Sequence, residues 1–358
     1  MFRVSIIIAK YGIFCLLFIL CTAALATESK KPNIVIIGTG GTIAGLGSSS
    51  ANVSAYQSAV VAVDKLIAAV PEIQKIAEVK GEQIFQIGSE SYNNERWLKL
   101  GKRVAELLQS QDVDAVVITH GTDTIEETGY FLNLTLKSEK PVVIVGAMRP
   151  GSAMSADGPL NLYNAVIVAS DNNSFGKGVL VVMNDEIHSA RDIVKANTVK
   201  VESFHSLYGP LGIVVEGKSS YYRAPARPHT MQTEFDINEI GALPEVGVVY
   251  AHGNMSRVPY DAFVAAGVKA IIHMGTGNGS IADYIVPVLK EVRSKGVIVV
   301  RASRTGSGPV VRNGEANDDE LDYIVTDDQN AAKARILLSL ALAKTTDTKE
   351  LQKLFWKY

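Results

Sequence analysis

Two glycine-rich loops that carry threonines hold the residues best suited to chemistry in this chain. The first lies in "IVIIGTGGTIAG", residues 34–45, where an apolar run breaks into Thr39, Gly40, Gly41 and Thr42. A dinucleotide-binding loop needs G-x-G-x-x-G, yet after Gly38 and Gly40 the third position is Ile43. The backbone cradle for a pyrophosphate is therefore incomplete. The Walker reading fails in this loop as well, since no Gly-Lys-Ser/Thr follows its glycines. What remains is backbone that another group can approach closely, beside hydroxyls that become nucleophiles once a base removes their proton. The same letters also fit a strand-to-helix turn with a threonine cap.

The second loop is "THGTDT", residues 119–124. A carboxylate next to a threonine at a strand end can bind a substrate ammonium group, and Thr122 offers another nucleophile or polarising hydroxyl. Taken alone, "GTDT" equally fits the cap of a helix beginning near Ile125, with Glu126 and Glu127 favouring its N-terminal dipole. Further strand ends add "GAMRPGSAMSADG", residues 146–158, and "VVMNDEIHSARDIVKANT", residues 181–198. The latter supplies Lys195, a cation to set beside a carboxylate, although a lone lysine is ordinarily a solvated surface residue.

Other chemistries find little support. The six histidines are scattered and form no H-E-x-x-H motif, so no metal site is expected. His120, inside the second loop, reads as a structural hydrogen-bond partner rather than a base. No G-x-S-x-G elbow is present for a serine hydrolase. Both cysteines, Cys15 and Cys21, precede residue 27, which excludes disulfides and thiolate catalysis from the rest of the chain.

The elements that must position these loops follow from periodicity. Short β-branched runs such as "DAVVITHG" and "PVVIVGAM" alternate with helical stretches, which is the pattern of a parallel sheet wrapped by helices. In such α/β sheets ligands bind at the carboxyl ends of strands, where the winding reverses. Residues 27–220 read as one α/β domain and 244–358 as a smaller second one. The aperiodic, proline-punctuated stretch 221–243 reads as the linker. The first 26 residues differ in kind: Arg3 and Lys10 precede the apolar run "IFCLLFILC", and "AALA" ends at Ala26. That arrangement reads as a secretory signal cleaved after Ala26, its apolar run being short of the roughly 20 residues a membrane span requires. The mature chain is thus expected in the periplasm, free of the membrane. A formal net charge of -2 with 20% charged residues gives no reason to expect a nucleic-acid partner.

With both threonine loops in hand, the chain resembles the bacterial type II L-asparaginases, and within them the glutaminase-asparaginases most closely. The resemblance runs from about residue 32 to residue 358. It is carried by "TGGTIAG", "GEQIFQIGSES", "VVITHGTDTIEET", "MSADGPLNLYNAV" and "VVMNDEIHSARD", which occur in the family's order. It implies a two-domain α/β amidohydrolase that needs no cofactor and in which Thr42 attacks a side-chain amide carbon. Thr39 would be the less suitable attacker. Tyr56, on a Ser- and Gly-rich flap, would activate Thr42, backed by Glu315 from a neighbouring subunit. Thr122, Asp123 and Lys195 would form a second polar trio. Asp123 would hold the substrate ammonium group and Ser89 its carboxylate, with Glu90, Ala147 and Ser280 also on the substrate.

The resemblance also bears on substrate and assembly. Glu90 and Ser280 match members with substantial glutaminase activity, so both L-glutamine and L-asparagine are expected substrates. The family assembles as a homotetramer with sites between subunits, and Ser280, like Glu315, would come from the partner chain. A different class of function, an exported protein that binds amino acids without hydrolysing them, is the alternative reading.

Overall fold

The β-branched run "NIVIIGTG" forms strand β1 (Asn33–Gly40), buried along nearly its whole length in the computed structural model, which describes residues 30–358. The secretory-signal reading, its cleavage after Ala26 and both cysteines lie outside the described residues. Beyond β1 the chain makes a small hairpin, β2 (Leu46–Gly47) with β3 (Tyr56–Gln57). Then come β4 (Glu78–Ile87), β5 (Ala115–Thr119), β6 (Val142–Val145) and β7 (Val179–Met183). These pair in parallel with β1 in the order β4-β1-β5-β6-β7. An antiparallel extension follows, from β8 (Glu186–Ser189), β11 (Gly212–Val215) and β12 (Lys218–Tyr221). Between β8 and β11 the chain leaves the sheet to form a two-stranded ribbon, β9 (Ile193–Lys195) with β10 (Phe204–Ser206).

Alternation of side chains along these parallel strands builds two cores, one on each face. Ile34 and Ile36 join Val117, Val143 and Leu180 in one. Val35 and Ile37 join Val116, Ile118 and Ile144 in the other. Burial on both faces is the reason the sequence reads as continuous apolar runs there. A second parallel sheet comprises β13 (Val246–Tyr250), β14 (Ala270–Gly275), β15 (Ile298–Ser303) and β16 (Ile324–Val325). Ile272, Val300 and Ile324 of that sheet share the core of Val35 and Ile37, through the helix Ala331–Leu342. Residues 32–358 accordingly form one compact unit, and two mainly parallel, helix-flanked sheets are the architecture expected from the sequence.

The stretch between β12 and β13 is pinned rather than loose. Phe235 and Ile237 are buried, Ile237 packs against Gly101 of the helix Asn94–Gln109, and the Thr233 hydroxyl donates to the Leu134 carbonyl. Elsewhere the letters "GIVVEGKS", residues 212–219, satisfy the Walker pattern G-x-x-x-x-G-K-S. They form the β11–β12 hairpin, with Glu216 and Gly217 both at positive φ in its two-residue turn. No strand-to-helix phosphate cradle exists there.

Candidate active site

From β1 the chain steps outward to β4, then returns to the other side of β1 with β5 and proceeds to β6 and β7. The winding therefore reverses between β1 and β5, and the two threonine loops leave the carboxyl ends of those two strands. Their glycines let them touch. Gly41 sits at φ 78°, and a Cβ built on it would lie 2.3 Å from the Gly121 Cα. A Cβ on Gly121 would lie 2.6 Å from the Ser89 hydroxyl oxygen. Three strand-end loops are thus stacked, the first two backbone on backbone and the second against the Ser89 side chain, at distances only glycine permits.

Each loop divides its polar groups between holding and facing. Thr39 is buried, and its hydroxyl donates to the Thr119 carbonyl at 2.8 Å, so it ties β1 to β5. Thr42 opens the short turn Thr42–Ala44, and its Oγ1 lies 2.7 Å from the Tyr56 hydroxyl, a bond either oxygen can donate. Tyr56 is carried by the β2–β3 hairpin, opposite Gly47. That hairpin is latched to the loop after β6, since Gly47 N donates to Ser152 Oγ and Met154 N to the Ser50 carbonyl, both at 2.7 Å.

Across from this pair, Lys195 at the end of β9 reaches into the second loop. Its Nζ donates to Thr122 Oγ1 at 2.9 Å and to Asp123 Oδ1 at 2.6 Å. Ser89 is buried, and its hydroxyl accepts from the backbone N–H of Asp123 at 3.1 Å. A cavity of about 260 Å³ separates the two halves, with Thr42 and Tyr56 on one side, Thr122 and Asp123 on the other, and Ser89 and Glu90 between. The volume suits a small molecule. Hydroxyls, backbone and carboxylates around it suit a zwitterion rather than an apolar ligand.

His120 lies behind the second loop, fully buried against the Tyr92 ring. Burial pushes its pKa down to about 4, so the ring is neutral and its Nδ1 bonds the Gly121 carbonyl at 2.7 Å. That is a structural partner, as read from the sequence. A second cavity, of about 240 Å³ by Arg191, Tyr208 and Arg227, has two of its cations paired, Arg191 with Asp328 and Arg227 with Asp327.

Of the residues singled out from sequence, Thr42, Tyr56, Ser89, Glu90, Thr122 and Asp123 line one cavity, with Lys195 bonded to two of them. Ala147 is fully buried, packed toward Gly158. Ser280 and Glu315 sit on loops of the second sheet, and neither lines this cavity within the chain. In the acidic stretch around Glu315, Asp319 is solvated. Asp318 is the exception to the solvated face expected there, being fully buried in an ion pair with Arg301. Sequence reasoning also missed Ser54 and Ser58 at the cavity rim, and nothing in their spacing sets them apart from the other flap serines.

Comparison with known proteins places the sequence and fold among characterised relatives. Residues 33–227 match the model of the asparaginase N-terminal domain, and residues 245–355 that of the glutaminase/asparaginase C-terminal domain. A glutaminase-asparaginase of Pseudomonas fluorescens biotype A is 56% identical over 352 residues, covering 97% of each chain. A probable periplasmic L-asparaginase of Haemophilus influenzae is 48% identical over 342 residues, 94% of this chain and 97% of that one. Among solved structures, a probable cytoplasmic L-asparaginase from Campylobacter jejuni superimposes with a TM-score of 0.89 at 46% identity, covering 92% of this chain and all of that one.

Proposed function

The chain belongs to the asparaginase family and is a hydrolase of amide carbon–nitrogen bonds; from that premise we propose that it releases ammonia from the side chains of L-glutamine and L-asparagine through a threonine acyl-enzyme. The observation that carries this reading is the 2.7 Å bond between Thr42 Oγ1 and the Tyr56 hydroxyl, facing the Lys195–Thr122–Asp123 trio across the cavity. Thr42 attacks the side-chain carbonyl carbon as its proton passes to the Tyr56 oxygen, the phenol handing its own proton on to the carboxylate of the neighbouring subunit's Glu315. The tetrahedral oxyanion then collapses as that proton returns to the amide nitrogen, which leaves as ammonia, and water hydrolyses the threonine ester to give L-glutamate or L-aspartate and restore the Thr42 hydroxyl.

Oxyanion stabilisation falls to backbone N–H groups of the two loops. The Gly41 N–H is already taken by the Ile87 carbonyl at 3.0 Å, so the Thr42 and Thr122 N–H groups are the donors for this task, each worth about 3 kcal/mol in such a role. Asp123 receives the substrate ammonium group and Ser89 the α-carboxylate, with Glu90 beside them. Thr122, kept in place by Lys195, supports the reacting amide. Glu315 and Ser280, exposed or partly exposed on loops of the second sheet, complete the cavity of a neighbouring subunit in a homotetramer. The two sheets act as two domains joined through 221–243. The leader reading and the periplasmic relative support export of the mature chain to the periplasm.

Ammonia release by the wild type and by Thr42→Ala, with each amide, tests the reading. The variant should release none above background while still binding L-aspartate or L-glutamate. Comparable rates in wild type and variant, or amino-acid binding without ammonia release in the wild type, overturn it. The glutaminase half is tested by kcat/KM for the two amides. Asparagine preferred by more than about a hundredfold, roughly 2.7 kcal/mol of discrimination, removes it.

A further inference from the structure

Lys195 reaches Thr122 and Asp123 from β9, a strand of three residues that pairs with β10 in a two-stranded ribbon. A two-stranded ribbon by itself is marginally stable, so something else must fix where its end lies. Ala196 N donates to the Ser203 carbonyl at 2.7 Å. By the alternation of antiparallel ladders, residues 194 and 196 therefore bond across to β10, while 193 and 195 turn their polar groups to the outer edge. Among the described residues no third strand takes them on that edge.

Side chains from two helices take them instead. Lys333, in the first turn of the helix Ala331–Leu342, donates its Nζ to the Arg191 carbonyl at 2.8 Å and to the Ile193 carbonyl. The Lys195 backbone N–H faces the carboxylate of Glu126, in the helix Ile125–Thr135 that follows the second threonine loop. Asn330, the cap of the Lys333 helix, bonds Glu126 as well. Lys333 is 3% exposed. Helix energetics do not favour a buried cation in the first turn, where the dipole repels it. Its ammonium is offset by Glu126, Asp192 and Asp328 and opposed by Arg191, and burial brings its pKa down to about 8. An apolar residue would fill the same space at lower cost, unless the bonds to β9 serve a purpose.

We infer that Lys333 is a positioning residue for the reaction: by bonding the outer edge of β9 it sets where Lys195 meets Thr122 and Asp123. The inference rests on the role given above to that trio. It makes a residue of the second family domain, in the same chain, a determinant of chemistry in the first.

The test uses full-length Lys333→Met, Lys195→Met, and the pair Glu126→Gln with Lys333→Met, assayed for ammonia release at saturating amide and for Tm. Lys333→Met should lower kcat at least about tenfold. The double variant, which also removes the buried charge of Glu126 that Lys333 offsets, should recover Tm without recovering kcat. Recovery of both together would mean that Lys333 acts only through stability and would overturn the inference. So would a folded Lys333→Met with wild-type kcat while Lys195→Met is impaired. Full activity in Lys195→Met would instead overturn the role of the trio, and this inference with it. Should Lys333→Met not fold, Lys333→Gln, which can still donate to one carbonyl, is judged alike: a loss of about threefold or more at unchanged Tm supports the inference, and unchanged kcat overturns it.

Discussion

Thr39 and Thr42 share a loop, a residue type and burial, yet their hydroxyls have opposite occupations. Thr39 spends its proton on the Thr119 carbonyl, whereas Thr42 faces a phenol and an open cavity. Letters alone could not divide them, because the choice is made by which partner the fold brings up: β5 to one, the hairpin tyrosine to the other. His120 follows the same logic and yields a pH prediction. Its folded pKa, about 4, lies below the ordinary 6.5 because burial disfavours the charged ring. As pH falls through 6.5 the unfolded chain takes up the proton first, so stability present above that pH is lost progressively down to about pH 4. The full loss is about 3 kcal/mol. His120→Gln removes this contribution, while His229 and His273, also lowered by burial, remain in both proteins. Urea midpoints at pH 7.5 and 4.5 should show the wild type losing about 2–3 kcal/mol more than the variant. Equal losses would refute the buried neutral ring.

At the scale of elements, the stacked glycine loops set the cavity's width. Gly41→Ala adds a methyl 2.3 Å from the Gly121 Cα at φ 78°, so backbone must move. The expected cost is at least about 2 kcal/mol, with a fall in kcat as Thr42 shifts from Tyr56. Gly241→Ala, with open space around it, should stay within about 0.5 kcal/mol. Urea titration of both variants with an ammonia assay would decide, and a neutral Gly41→Ala would contradict the stacking. The long parallel strands were legible because uniform apolar runs have one cause, burial on both faces. The short elements that finish the site were not: β2, β3, β9 and β10 have two or three residues each, too few to display a period. The same limit hides Phe235 and Ile237, single anchors in an aperiodic stretch. It also lets the β11–β12 hairpin carry Walker letters without a Walker loop. Asp318 was unreadable for another reason, since it opens a one-turn helix and its partner Arg301 comes from β15.

For the whole molecule, the buried Arg301–Asp318 pair organises the far side of the second sheet. Arg301 also donates to the Asn278 and Gly279 carbonyls at 3.1 and 3.0 Å, while Asp318 accepts from the Asn313 N–H at 2.8 Å. One ion pair therefore holds together the loop of Ser280 and the loop of Glu315. Breaking a pair so buried typically costs about 3–5 kcal/mol, an investment in two loops that do not line their own chain's cavity. Delivery of those loops to a neighbour is the role proposed for them above, and subunit mixing tests it. Thr42→Ala and Glu315→Gln should each be nearly inactive alone. Unfolded together and refolded as mixed assemblies, they pair an intact Thr42 from one chain with an intact Glu315 from the other. Random pairing restores about a quarter of the wild-type sites, so ammonia release should rise to about a quarter of the wild-type rate. If every site were completed within one chain, no mixture could recover activity, and a flat result from two individually inactive variants would refute the shared site.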